Sequence, residues 1–382
     1  IYRNPRQIAH GSIASGEFHG SVRGVTGQRG SAATLGPIEL KGADSMKKVV
    51  LSVVAALAVS TAVPAAFSAD LPKKAPAVAP APPPSPWDIA FGAAIMNDYI
   101  FRGVTQSGHK PSVAAYFEPR YNINSNWQLY AGLSGESIKF ANNAAAEIDF
   151  YGGVRSTWGP LAFDVGYWYY YYPGGQCYGT GPTQSLDPGC LNGNPVLGGL
   201  PLNGNVAKKV ASFYEIYGKV AYTWTDWAFG ANFYWSPNFL NTGADGEYLS
   251  GTIKFTAPEK MALGPLGWYV SGEFGHQWLG TSDAFYGTFN GIIPGNFPNG
   301  IPYADYNTWN VGLGFTWKVF TLDLRYYDTD LSKGDCNAFT SDPTATFNNN
   351  VTPINTSGVG SSWCGAAFVA KLSADLTLGS LK

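Results

Sequence analysis

Charge is scarce in this sequence. Asp, Glu, Lys and Arg make up 13% of its 382 residues, against roughly 25% in soluble domains. The formal balance is −2, and without a basic excess there is no footprint for phosphate, so a nucleic-acid partner is excluded. After residue 70 no apolar run reaches the roughly 18 residues that a membrane-spanning helix needs. Cysteines number four and histidines four, and none stands in the dense paired spacing, such as CxxC, that a zinc centre wants. What is present instead is aromatic residues at 15% and 47 glycines. Low charge, abundant Tyr, Trp and Phe, and no helical span fit a transmembrane β-barrel, with a secreted β-sandwich as the competing fold.

The stretch "MKKVVLSVVAALAVSTAVPAAFSADLP" has the anatomy of a secretory signal. Met46 is its start, Lys47 and Lys48 its positive end, and Val49 to Val63 its apolar centre. Ala66 and Ser68 place small residues at −3 and −1, so cleavage is expected before Ala69. On this reading residues 1–45 are upstream translation outside the native protein, and 46–68 are the signal peptide. "ADLPKKAPAVAPAPPPSP", residues 69–86, is too rich in proline to join a sheet and reads as a semi-rigid periplasmic linker.

From residue 87 to 382 the expected fold is all-β: an antiparallel up-and-down transmembrane β-barrel of about 12 strands. Apolar and polar residues alternate in twelve segments, the pattern of strands with one face to lipid and one to a lumen. They are Trp87–Val104, Ser112–Asn124, Trp127–Lys139, Glu147–Ser156, Leu161–Tyr172, Val210–Trp224, Trp227–Ser236, Glu247–Ala257, Trp268–Leu279, Asp305–Trp317, Val319–Leu331 and Gly365–Leu378. Their connections fall into two sets. One is short ("NSNW", "TWGP", "WTDW", "WKVF"), with one longer member around "APEKMALGPLG". The other includes Pro173–Lys209, Gly280–Ala304 and Ser332–Cys364. Short periplasmic turns and long extracellular loops are expected of an outer-membrane barrel, and an even strand count puts both ends of the barrel in the periplasm. Trp127, Trp158, Trp224, Trp227, Trp268 and Trp317 gather at the short-turn end, as an interfacial girdle would.

"NDYIFRGVTQS" (Asn97–Ser107) places Asp98 and Arg102 four apart among strand formers. On a continuous first strand both would face the lumen, with Tyr99 and Phe101 towards lipid. The same alternation assigns Glu118, Arg120, Glu136, Glu147, Asp149, Arg155, Asp164, Glu215, Lys219, Lys254, Glu273, Asp323, Arg325, Lys371 and Asp375 to inward positions. These are the candidate pore-lining residues. Acids modestly outnumber bases among them, which predicts a lumen that weakly favours cations or neutral solutes. In "YWYYYYPG", Trp168 and Tyr170 should point inward and Tyr167, Tyr169 and Tyr171 outward. Cys177 and Cys190 fall in one predicted external loop, and Cys336 and Cys364 bracket another. Export to an oxidising compartment predicts a disulfide within each.

These segments resemble the TorF family of porins, small outer-membrane proteins of proteobacteria. The resemblance is carried by "NDYIFRGVTQS", "KPSVAAYFEPRY", "WQLYAGLSG", "EIDFYGGV", "FDVGYWYYYYPG" and "LDLRYYDTDLS", in order between about residues 90 and 331. It implies an outer-membrane β-barrel and pore formation, and it supplies no catalytic residues. The long cysteine-bearing loops and the ending "LTLGSLK", with no terminal aromatic, depart from the family pattern.

Enzymatic readings find no support in the residues. Of the histidines beyond the signal, His276 is followed by Gln277 and Trp278, so no serine shares its face two residues on, and His109 sits in a loop beside Lys110. There is no triad and no phosphate loop. The expectation is a non-enzymatic porin-like channel for passive diffusion of small hydrophilic solutes, without cofactor, in the outer membrane of a Gram-negative bacterium. Its partners would be outer-membrane lipid and lipopolysaccharide, the barrel-assembly machinery and the solutes themselves, with a homo-oligomer left open. The alternative is a non-conducting surface-interaction barrel acting through disulfide-tied external loops.

Overall fold

A computed structural model of the chain describes residues 86–177, 203–290, 293–294 and 297–378. The upstream segment, the signal peptide, the linker up to residue 85 and Cys190 lie outside the described residues.

Twelve strands form the wall: β1 Trp87–Met96, β2 Ser112–Asn122, β3 Trp127–Glu136, β4 Glu147–Trp158, β5 Leu161–Tyr171 and β6 Phe213–Trp224, then β7 Trp227–Ser236, β8 Gly246–Thr256, β9 Gly267–Leu279, β10 Tyr306–Trp317, β11 Phe320–Thr329 and β12 Ala367–Thr377. Each pairs antiparallel with its sequence neighbour, and β12 returns to pair with β1, Ala93 opposite Ala374. The result is a closed barrel with no exposed edge in its main sheet, which is the form a sheet must take to sit in hydrocarbon. Eleven of the twelve predicted segments agree with the wall to within three residues at each end. The first does not: it leaves the wall at Met96 rather than Val104.

Alternation along the strands is what closes this sheet with one greasy face. Val165 is 60% exposed and Phe274 57%, and a band of Leu, Ile, Val and Phe continues around the outside. A soluble monomer rarely presents an apolar patch beyond a few hundred Å², so this outer face is built for lipid. The same strands turn Tyr, Asp, Glu, Arg and Lys inward.

The short turns and their girdle are as the sequence predicts. Trp127 and Trp158 meet at 6.3 Å, Trp227 and Phe255 at 5.0 Å, Phe255 and Trp268 at 5.9 Å, and Trp87 and Tyr121 at 4.9 Å. Such rings sit well where apolar body and polar edge meet different solvents.

At the opposite end the long connections pack on one another instead of standing free. Phe239, Phe285, Ile301, Tyr303, Tyr306, Phe339 and Trp363 form one buried cluster with Cys336 and Cys364. Cys336 and Cys364 are joined as a disulfide across a sequence separation of 28. Cys177 is also disulfide-bonded. A helix, Lys333–Thr340, is started by Ser332, whose hydroxyl accepts from the Asp335 amide. Beneath it Asn205 donates to Asn337 at 2.7 Å, and Ser361 donates to Asp342 at 2.7 Å, so these four buried polar side chains satisfy one another.

Candidate functional site: a hairpin across the lumen

Beyond Met96 the chain turns into the barrel. Asn97 holds the wall through both ends of its amide, donating to the Phe368 carbonyl at 2.9 Å and accepting from the Ala370 amide at 2.6 Å. Ile100–Phe101 and Val104–Thr105 then pair as a small hairpin. Its two-residue turn is Arg102-Gly103, with φ of 47° and 79°. Two successive positive φ values make the tight turn that suits paired strands. Glycine adopts this freely, whereas arginine does so at a cost of about 1–3 kcal/mol.

What holds Arg102 there is its far end. The guanidinium donates to both carboxylate oxygens of Glu215 on β6, at 2.8 and 2.9 Å, and to Gln277 on β9 at 3.1 Å. The rings of Phe101, Tyr234 and Tyr248 lie 4.6, 4.8 and 4.4 Å from its central carbon. The Arg102 side chain is 6% exposed and that of Glu215 0%. In a twelve-stranded ring β6 and β7 stand across from β1, so the hairpin spans the bore. Val104 bridges to Cys364, and the Thr105 amide donates to the Trp363 carbonyl at 2.8 Å, which ties the hairpin to the loop cluster outside.

The expectation of a continuous first strand is therefore corrected. Asp98 and Arg102 share neither a strand nor an ion pair, and neither Tyr99 nor Phe101 faces lipid. Tyr99 donates to Glu147 at 2.8 Å, and Phe101 packs edge-on to Tyr170 at 5.9 Å. Asp98 accepts from Thr105 at 2.6 Å and Ser107 at 2.9 Å, and it meets His109 Nδ1 at 2.7 Å. His109, which the sequence places in a loop beside Lys110, also contacts the Ser362 carbonyl through Nε2 at 2.8 Å.

The Asp98–His109 pair gives a pH expectation. Burial pushes Asp98 up, but the hydrogen bonds from His109, Thr105 and Ser107 outweigh it and hold the carboxyl below its usual value. His109 is raised, chiefly by its bond to Asp98 and against the opposing effect of burial. Asp98 therefore contributes stability above an unfolded pKa of about 3.9, lost as pH falls through its lower folded value. His109 contributes below about 6.5, and its share is lost as pH rises through its higher folded value. Amide exchange over residues 97–111 should be slowest near mildly acidic pH and rise on either side, a dependence that His109→Gln flattens above neutrality. Exchange independent of pH in the wild type, after correction for intrinsic rates, would remove the pair from this role.

The alternation places the other charged candidates on the inside of the wall. Two networks run along it. Glu118 on β2 binds Arg155 on β4 at 2.7 Å and Arg120 at 2.6 Å, and Arg155 reaches Asp164 on β5 at 3.3 Å. On β9 and β11, Arg325 binds Asp323 at 2.9 Å and Tyr269 donates to Asp323 at 2.7 Å, while Tyr116 on β2 donates to Asp375 on β12 at 3.0 Å. Tyr248 donates to Glu273 at 3.1 Å. Lys219 lies 4.5 Å from the Tyr217 ring centre, and Lys254 lies 4.0 Å from that of Tyr269. These networks leave space between them. One cavity of about 590 Å³ is lined by Arg102, Glu136, Asp149, Lys219, Glu273 and Arg325 among others. A second, of about 570 Å³, is lined by Asp98, Lys254, Asp323, Arg325, Lys371 and Asp375. They share Tyr99, Ile100, Glu136, Arg325 and Tyr327, so they abut. Sequence reasoning missed Gln277, Tyr234 and Tyr248 as the cradle of Arg102. Nothing but the inward parity of these three positions marked them.

A family model described as "Bacterial protein of unknown function (Gcw_chp)" matches residues 80–186. Among curated proteins nothing matches. Solved structures with a similar course include an outer membrane channel from Pseudomonas putida F1, 9% identical over 80% of this chain and 100% of that one, with a TM-score of 0.37. They also include a FadL homologue from Pseudomonas aeruginosa (12% identity, 76% and 89% coverage, TM-score 0.36) and LpxR from Salmonella typhimurium (7%, 75% and 99%, 0.33).

Proposed function

We propose that the chain is a porin-like channel of the Gram-negative outer membrane, admitting small hydrophilic solutes by passive diffusion, with a weak preference for cations or neutral solutes. The observation that carries this reading is the pair of abutting, polar-lined cavities inside a closed, lipid-faced wall. The inward wall charges would line the path, and the TorF porin family is the finer form of the same reading. Export by the signal peptide, insertion by the barrel-assembly machinery and contact with lipopolysaccharide at the outer rim follow from that location. His276 faces outward, bonds Asn307 at 2.8 Å and meets Trp278 edge-on at 4.4 Å, the surroundings of an interfacial histidine in an aromatic belt.

A second reading rests on a separate observation, the buried apolar cluster of the external loops. It favours a barrel that works as a surface and does not conduct. Single-channel recording of the refolded chain from Ala69 to Lys382 in a planar bilayer separates the two. Discrete steps with a mild cation preference are expected. Silence from a folded, heat-modifiable barrel, with and without reductant, would displace the channel reading.

A further inference from the structure

Three carboxylates at the inner foot of the hairpin are not accounted for by anything described above. Glu136 ends β3, and Glu147 and Asp149 begin β4; one oxygen from each lies within 4.8 Å of the other two. Glu147 and Asp149 are almost wholly enclosed, Asp149 at 3% exposure. Glu147 accepts from Tyr99 at 2.8 Å and from Tyr172 at 2.9 Å, and Asp149 Oδ2 accepts from Ser134 at 2.9 Å. Beyond these the nearest donor is the Trp168 indole N–H, which stands beside Asp149 without closing a hydrogen bond to it. Asp149 Oδ1 and Glu136 Oε2 are buried without a hydrogen-bond partner, and both residues line the larger cavity.

A buried carboxylate wants a cation or a full set of donors, and the protein's own cations around this cavity are engaged elsewhere. Arg102 is bound to Glu215, Arg325 to Asp323, and Lys219 lies over Tyr217 and Tyr234. Among the described residues, none of the three acids has an ion pair. The donor set narrows the choice of ligand. Convergent carboxylates with room for water suit calcium, which takes roughly 6–8 oxygens at about 2.3–2.6 Å in flexible geometry, whereas magnesium demands near-ideal octahedral geometry and is seldom held by a dedicated all-protein cage.

From these observations the geometry points to a calcium site formed by Glu136, Glu147 and Asp149, with Tyr99 and Tyr172 holding Glu147 in place. Water from the cavity would complete the shell. Because Tyr99 belongs to the crossing hairpin, the ion would also brace that hairpin against β4.

The site is independent of whether the barrel conducts, and it can be tested on the folded barrel in detergent. Calorimetric titration of the refolded chain with CaCl₂ at neutral pH should give one saturable ion per barrel. Tb³⁺ should show sensitised luminescence, excited through Trp168, which lines the same cavity, and calcium should quench it competitively. Glu147→Gln and Asp149→Asn should each weaken binding by roughly tenfold or more, since ligand charge count tunes calcium affinity. Asp375→Asn, in the other cavity, should leave it unchanged. Heat-modifiable migration verifies that each variant is folded. A folded wild-type barrel with no saturable calcium binding, or equal affinity in all four proteins, would overturn the assignment.

Discussion

Replacing Arg102 by alanine is expected to open the lumen. The hairpin holds a strained arginine at φ 47° because its guanidinium is bound bidentate to a carboxylate with no exposure to solvent. Removing one partner of such a pair strands the other charge, at a cost of about 3–5 kcal/mol. The stacking of Phe101, Tyr234 and Tyr248 on the cation is lost with it. At about 1.4 kcal/mol per tenfold, the closed-to-open ratio of the hairpin would fall by roughly two to three and a half decades. R102A should therefore show larger and more frequent conductance steps than the wild type, together with rapid amide exchange in residues 99–106. The double variant R102A/E215Q removes the stranded charge and should recover much of the lost thermal stability while leaving the conductance high. Wild-type conductance in folded R102A, with residues 99–106 still protected, would show that the hairpin's other anchors suffice and that Arg102 is not the latch. Those anchors are Tyr99 on Glu147 and Thr105 on Trp363.

The wall was legible in the sequence because lipid on one side and a polar interior on the other impose a period of two along every strand. Phe274 and Val311 point one way, and Glu273 and Asn310 the other. The girdle was legible because Trp127, Trp158, Trp227 and Trp268 flank turns too short to carry them elsewhere. The hairpin was hidden by the same rule. Tyr99, Phe101 and the residues between them continue the alternation of β1, so nothing in the period announces that the chain has left the wall. One local signal was available: Arg-Gly between Ile-Phe and Val-Thr has the glycine of a two-residue hairpin turn in its second position. Arginine in the first position is unusual, because its positive φ is strained unless the side chain is held from afar. The holding groups, Glu215 and Gln277, lie 113 and 175 residues away. That contact is a property of ring closure, and it is invisible to any window along the chain. The cluster of Glu136, Glu147 and Asp149 was named residue by residue as inward-facing. Its convergence depends on the register of β3 against β4, which sets Glu136 opposite Glu147.

The lipid-facing assignment carries the other large expected effect. Val311 lies at the middle of β10, points outward and is 53% exposed. On a water-soluble barrel, arginine at such a position would change stability by no more than about 0.5 kcal/mol. In a bilayer the same side chain would stand near the midplane, where arginine on the lipid face of a barrel costs about 2–4 kcal/mol. Thr321, near the short-turn end of β11, is the inward-facing control. It points inward and lines the cavity of about 570 Å³, where an added lysine meets water and Asp323. Reversible urea unfolding in phosphatidylcholine vesicles should therefore place Val311→Arg well below the wild type and Thr321→Lys much closer to it. The ordering matters more than either value, because overpacking or loss of strand propensity would affect both faces, whereas hydrocarbon penalises only one. Equal losses in the two variants, or Val311→Arg within 0.5 kcal/mol of the wild type, would mean that the apolar band meets something other than a bilayer, and the channel reading would fall with the membrane.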